Sequence, residues 1–351
     1  MIRPYLASFS AIISNDQLSI RAIVTATYSH TKDSLKTPIS HLALLSKNNY
    51  RIRIRGFNEG QVEILSREYD SDNFGNFELR IPALVDVNNI EKLSVYETSM
   101  LTGVEIHLGS YYPIRIKEPK KLVISDFDKT LVDTKYSTPK EMYYSLNRPL
   151  AYFPSVEPSI ALLKNYMEKE FQPFILSASP HFYEAPIRDW LYQHELFVSD
   201  IFLKDYRDFF SIFDGRLSTK DLKKQGFYKL NQLIDILLMT GIPDELALMG
   251  DGFESDPFIY MVLKNLLTNN SDPWKNWKAI KNNAIFNLTS KQDSYFLTKF
   301  YQLSELAKKK PNVKIHIHIR ATNNNVESLK TKKYEQISYQ KANETIDYYL
   351  A

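Results

Sequence analysis

The chain has no cysteine, so it carries neither a disulfide framework nor a thiolate metal site. That absence fits a reducing compartment, and a cytoplasmic protein is the expectation. Long apolar runs are missing as well: none approaches the ~20 residues that a membrane-spanning helix needs. The opening stretch, MIRPYLASFSAIISND, has one arginine and a short apolar run broken by Ser8 and Ser10, which makes a poor secretory signal. Export by another route stays open. An excess of one charge is also lacking. The 44 basic side chains nearly offset the 41 acidic ones, and a net charge of +3 is too small to point to nucleic acid. No internal repeat is visible. What is present is an ordinary globular composition over 351 residues, a length that suits two domains better than one core.

The first third reads as strands. Tyr50, Ile52 and Ile54 alternate with Arg51, Arg53 and Arg55 before Gly56 ends the run, a period-2 pattern with one wet face. Similar runs at Ile20–Tyr28, Val62–Leu65, Phe77–Ile81, Leu93–Tyr96 and Val104–Leu108 are separated by Asn, Asp, Gly and Ser. Such spacing predicts an all-β, sandwich-like domain over residues 1–117. The polar EPKK segment before Leu122 marks its end.

From Lys121 short β-branched runs alternate with amphipathic helices, the pattern of a parallel α/β sheet. Phe174–Leu176 and Leu246–Met249 read as strands, Ile160–Met167 and Leu230–Met239 as helices, the second closed by Gly241. Thr138-Pro139-Lys140-Glu141 predicts a helix start. Val313–Arg320 is a last strand, so the α/β domain is expected over 118–322. Residues 323–351 read as a polar tail with one helix near its end.

Chemistry concentrates where these strands stop. Asp126 ends the first in SDFDKT, with Asp128 two residues on; Ser177 ends the second, and Asp251 ends another, followed by Asp256. Lys229 opens the helix before that last strand. In a parallel sheet these ends share one edge, the edge where ligands bind. Two aspartates beside an apolar run are a folding liability unless something compensates them. A hard cation such as Mg²⁺ does so, since it takes carboxylate and phosphate oxygens. In such a site one carboxylate can attack phosphorus while a second acid moves the proton. Ser177 and Lys229 would hold the phosphoryl oxygens.

Asp126-Phe127-Asp128-Lys129-Thr130, then Ser177, Lys229 and Gly250-Asp251 with Asp256, resembles the haloacid-dehalogenase (HAD) superfamily in residue type and order. The resemblance implies a HAD-like parallel sheet with a small cap insertion. It implies Asp126 as nucleophile, Asp128 as general acid/base, and Thr130 in support of the loop and phosphate. The metal, Mg²⁺, would be held by Asp126, Asp128, Asp251 and Asp256, with Asp128 contributing its backbone carbonyl and Asp256 acting as ligand or supporting partner. More narrowly, ISDFDKTLVDT, LSASPHFYEAPIRDWL, FLKDY and GDGFESDPFIY look like the App1-like phosphatidate phosphatase family, over about residues 118–265. That family implies hydrolysis of a lipid phosphate such as phosphatidate to diacylglycerol. Lys129 stands where that family commonly has an acid, and Gly252-Phe253 replaces Ser-Gly. A soluble phosphomonoester or phosphoprotein is the alternative substrate. A scaffold acting through its β domain is the alternative of another class.

Other features are read more simply. Lys204, Lys220 and Lys223 compete with Lys229 for the phosphate. Asp70–Gly75 imitates a calcium loop, but Phe74 and Ile81 stand where ligands belong, so a hairpin turn is expected. His316 and His318 fit a half-exposed strand face better than a metal site. Tyr143, Tyr144, Tyr152 and Phe153 either line an apolar approach or form the core of a cap. Arg51, Arg53 and Arg55, with Lys308–Lys310, are either solvated or in peripheral contact with an anionic membrane.

Overall fold

Asn15 and Asp16 both adopt positive φ, 49° and 58°. That is the backbone a two-residue hairpin turn of matching twist requires. It folds β1 (Ile2–Ser14) back on β2 (Gln17–Tyr28), paired from Ser14↔Gln17 to Ile2↔Tyr28 with a register shift between Leu6 and Ser8. The computed structural model describes residues 2–28, 49–82, 86–134, 149–204, 225–268, 272–283, 285–286, 288, 290–331 and 346–351. Within it the chain divides into two units, one of Met1–Ile116 with Pro180–Glu184, the other of Lys117–Ser179, Ala185–Lys204 and Leu217–Ala351.

The first unit continues with β3 (Arg51–Phe57), β4 (Glu63–Asp70), β5 (Asn76–Ile81), β6 (Lys92–Glu97), β7 (Ile106–Tyr111) and β8 (Ile114–Arg115). Its two sheets have the orders β5-β2-β1-β8 and β4-β3-β6-β7. All pairs are antiparallel except β1 with β8. One cluster of buried side chains draws on both sheets, including Ile20 and Val24 from one and Ile52, Ile54 and Val95 from the other. The arginines of β3 lie on its opposite face, each against a carboxylate: Arg51 with Asp70, Arg53 with Glu68 and Glu105, Arg55 with Glu105 and Glu63. The basic face is thus neutralised within its own sheet.

Two sequence expectations need correcting here. No strand was expected at Ile2–Ser14, because the stretch lacks clean alternation; the Asn15-Asp16 turn was the legible signal. The Asp70–Gly75 segment is a turn, held by Asp72 Oδ1 accepting from the Phe74 and Asn76 amides at 2.8 and 2.9 Å. It is not a hairpin, since β4 and β5 belong to different sheets.

The second unit is built on β9 (Lys121–Asp126), α1 (Glu157–Glu168), β10 (Gln172–Pro180), α2 (Glu184–Gln193), β11 (Asp200–Lys204), α3 (Gln225–Thr240) and β12 (Glu245–Asp251). It continues with α4 (Asp256–Thr268), α5 (Pro273–Ile280), α6 (Ser290–Lys309), β13 (Lys314–Ala321), α7 (Val326–Thr331) and β14 (Ile346–Leu350). The six strands are ordered β11-β10-β9-β12-β13-β14, with parallel pairing from β10 through β14. Leu122, Val123 and Ile124 of β9 are fully buried, as are Leu246, Ala247 and Leu248 of β12. That is the continuous apolar character of strands covered on both faces. From β9 the chain steps to β10 and β11 on one side. It returns to place β12, β13 and β14 on the other, so the order reverses between β9 and β12.

The C-terminal residues are not a separate tail. Ile346–Leu350 pairs with β13 from Ile317↔Ile346 to Ala321↔Leu350. Of the span read as a tail, Val326–Thr331 is helical, Ile346–Leu350 is a strand that satisfies an open sheet edge no local pattern announces, and residues 332–345 lie outside the described residues. The helix start at Thr138 and the side chains of Tyr143 and Tyr144 lie outside the described residues. Among the described residues no helix is long and apolar enough to cross a membrane.

Candidate functional site

The apolar run of β9 carries Asp126 into the sheet's carboxyl edge at the point where strand order reverses, and β12 carries Asp251 there beside it. Parallel open sheets bind ligands at this edge. Gly250 makes the approach possible: a Cβ on it would lie 2.5 Å from Asp256 Oδ2 and 2.8 Å from Asp256 Cβ. Asp256 begins α4 and accepts from the Asp251 amide at 3.1 Å. One oxygen each of Asp126, Asp251 and Asp256 falls within 4.8 Å of the others. All three side chains are buried.

Lys229, on α3, reaches into this group from the side. Its Nζ donates to Asp256 Oδ1 at 2.6 Å and lies 3.3 Å from Asp126 Oδ1, 3.4 Å from Glu254 Oε2 and 3.9 Å from Asp251 Oδ2. At 3.3 Å the ammonium is close to Asp126 Oδ1 but not aligned to hydrogen-bond it. Glu254 also pairs with Lys129 at 2.9 Å. Four carboxylates therefore meet two ammonium groups.

The protonation balance follows from that count. Burial pushes Asp126 well above the ordinary carboxylate range; Lys229 opposes the shift, and the other acids add to it. Burial, then Asp256 and Glu254, raise Asp251 to about 8. Asp256 is raised by burial as well. Burial also works against a charge on Glu254, but Lys229 and Lys129 together hold it below its usual value. Burial likewise works against the Lys229 charge, and the surrounding carboxylates overcome it and hold the ammonium well above its usual value.

The donor set fits a hard divalent cation. It consists of carboxylate oxygens, and its formal excess is two negative charges. Asp126 Oδ1 and Asp251 Oδ2 are buried without a hydrogen-bond donor among the described residues. The Lys229 ammonium, 3.3 and 3.9 Å away, meets part of their charge, and a divalent cation would meet the rest.

Asp128 is arranged differently. Its Oδ2 accepts from Ser177 Oγ at 2.8 Å and Ser179 Oγ at 3.1 Å, and its Oδ1 from Thr134 Oγ1 at 3.3 Å. Its carboxylate lies outside the metal-capable triad. Ser177, expected at the phosphate, thus has its hydroxyl turned to Asp128, and its Oγ accepts from the Ser179 amide at 2.9 Å. Thr130 Oγ1 donates to Asp126 Oδ2 at 3.2 Å. Of the rival lysines, Lys204 has its Nζ 5.6 Å from the centre of the Tyr228 ring, and Lys220 and Lys223 lie outside the described residues. Of the two candidates among the described residues, Lys229 is the one set among the carboxylates.

Sequence reasoning assigned no catalytic or binding role to Glu254 or Thr134, and it left Ser179 as a turn or helix-cap candidate. Glu254 was the most findable, three residues past Asp251, whose Oδ1 accepts from the Phe253 and Glu254 amides at 2.7 and 2.9 Å. His316 and His318 hold no metal-capable group among the described residues. His318 instead bridges Tyr166 Oη at 2.7 Å and Asp347 Oδ2 at 3.0 Å.

The chain matches no family profile and no curated protein. Similar solved structures include the Pnkp1/Rnl/Hen1 complex, 16% identical over 44% of this chain and 48% of that one, at a TM-score of 0.25. A Parabacteroides merdae β-glucuronidase is 8% identical over 99% of this chain and 39% of that one, at 0.28. A Ruminococcus gnavus β-glucuronidase is 10% identical over 99% and 48%, also at 0.28. The chain spans less than half the length of each of these three, and likeness at this level assigns neither fold nor activity.

Proposed function

We propose that this protein is a Mg²⁺-dependent phosphatase of HAD-like fold and App1-like type, hydrolysing a phosphomonoester through an aspartyl-phosphate on Asp126. The observation that carries the reading is the position of Asp126. It ends a buried parallel strand at the reversal of strand order, with one oxygen that accepts no hydrogen bond among the described residues and with Lys229, Asp251 and Asp256 around it. In this reading the two sheets of the first unit form the sandwich-like domain ahead of the catalytic one.

The placement of the side chains supports the following chemistry. An Asp126 oxygen forms a bond to phosphorus as the bond from phosphorus to the ester oxygen breaks. The leaving oxygen takes its proton from the Asp128 carboxyl, which Ser177, Ser179 and Thr134 hold in place. Asp128, now a carboxylate, takes a proton from water. The water oxygen attacks phosphorus, the bond to Asp126 breaks, and inorganic phosphate leaves. Lys229 offsets charge on the phosphoryl oxygens, and Thr130 orients Asp126. Mg²⁺, held by Asp126, Asp251 and Asp256 with the Asp128 carbonyl, would supply charge neutralisation at the transferring group.

The substrate proposed is a lipid phosphate such as phosphatidate, met as a phospholipid at an anionic surface by a cytoplasmic protein. Tyr152, exposed and set edge-to-face on Phe153 with ring centres 5.7 Å apart, supports an apolar approach. The arginines of β3, each paired with a carboxylate, lend this surface contact no support. Phosphate release from phosphatidate micelles and from soluble phosphomonoesters, with Mg²⁺ or EDTA and beside Asp126→Asn, tests the reading. Activity that survives the substitution or the chelator would sink the mechanism. Activity on soluble esters alone would remove the lipid, and none on any ester would favour a scaffold.

A further inference from the structure

Arg320, near the end of β13, is buried, and a buried guanidinium is costly unless it is well partnered. Its Nη1 donates to the backbone carbonyl of Lys129 at 2.6 Å and to Asp133 Oδ1 at 3.2 Å. Its own carbonyl accepts from the Gly252 amide at 2.9 Å. The guanidinium carbon lies 5.9 Å from the centre of the Phe253 ring. One residue therefore grips both loops of the site, the one that carries Asp128 and Thr130 and the one that carries Glu254.

What it grips is the strained point. Lys129 has φ of 60°, a left-handed backbone that is uncommon and costly for a non-glycine residue. It stands between Asp128 and Thr130, so any relaxation of its backbone turns both neighbours. Local bonds give partial support: the Lys129 amide donates to the Val132 carbonyl at 2.8 Å, and the side chain pairs with Glu254. The Lys129 carbonyl is fixed from another strand altogether.

We propose that Arg320 is a positioning residue. It locks Lys129 in the left-handed conformation and so aims Asp128 and Thr130 at the reacting groups. For its effect on catalysis this rests on the phosphatase reading; for its effect on the loop it does not. Asp133 completes the grip, because the same Nη1 that serves the Lys129 carbonyl also serves the Asp133 carboxylate, and the rigid plane of the guanidinium fixes where that nitrogen sits.

The test compares full-length wild type, Arg320→Met and Arg320→Lys by steady-state kinetics and by amide hydrogen exchange of the segment 127–134. For Arg320→Met, kcat should fall about tenfold or more with KM held within about threefold, since only orientation is lost. Exchange in 127–134 should rise about tenfold while β9 and β12 stay protected. Arg320→Lys should fall between the two on both measures, and it carries the test if the methionine variant does not fold. Unchanged exchange in 127–134 in both variants would overturn the proposal. So would a loss of kcat matched by faster exchange throughout the sheet, which marks a merely structural residue. Should wild type release no phosphate from any ester, the phosphatase reading fails and the exchange measurement decides Arg320 alone.

Discussion

Lys229 and Asp256 meet at 2.6 Å with both side chains buried, and the same ammonium stands within 4 Å of Asp126, Asp251 and Glu254. One cation thus holds together a cluster that would otherwise repel itself. Removing a single partner from a buried pair costs about 3–5 kcal/mol, so Lys229→Met should lower stability by about that much at neutral pH. Denaturant unfolding checks it, and added Mg²⁺ should recover part of the loss by binding the folded state alone.

Asp126→Asn should separate function from stability. Burial already favours the neutral form of Asp126, so an uncharged amide there costs little in metal-free protein. The melting temperature in EDTA should stay equal to wild type or rise. Phosphate release should fall by about 10³-fold or more, as for loss of a nucleophile. The stabilisation conferred by Mg²⁺ should shrink as well, because one carboxylate of the set is gone.

Gly250 is required by space and not by backbone conformation. The Cβ of Gly250→Ala would meet Asp256 and the Tyr260 ring, at 2.5–2.8 Å. Overpacking at such a site costs about 1–3 kcal/mol. The substitution should also push Asp256 away from the Asp251 amide, and Mn²⁺ affinity measured by calorimetry should fall with it. Wild-type affinity in this variant would show that the carboxylates tolerate displacement.

The link from β14 to the sheet should respond to pH. Burial holds His318 below its ordinary range, against the opposing pull of Asp347. The unfolded chain therefore binds the proton more readily than the folded one. Stability should be full above the unfolded pKa and fall as pH drops through about 6.5 toward the lower folded value. Urea midpoints between about pH 7.5 and 5.5 measure this slope, and His318→Gln should flatten it.

Much of this was written locally. Six of the strand runs read in the first third fall on observed strands, since alternation of apolar and polar residues reports a half-buried strand without reference to anything distant. Asp126, Asp251 and Asp256 were legible because each sits at a boundary that sequence marks, a strand end or a helix start. Ser177 was legible as a strand-end residue of this neighbourhood, but its bond to Asp128 was not, because a serine's residue type does not say where its hydroxyl turns.

By itself, then, the sequence determined many of the elements, the change from antiparallel to parallel architecture near Lys117, and an oxygen-rich donor set suited to a hard cation. Only the tertiary structure decided which charges share one dielectric. It put Lys229 among four acids, paired Lys129 with Glu254 across 125 positions, and brought Arg320 from β13 onto the Lys129 carbonyl. It also placed the last residues at the sheet edge. Periodicity is a property of neighbours along the chain, whereas burial, electrostatic balance and an enforced left-handed backbone depend on strand order, which no local pattern contains.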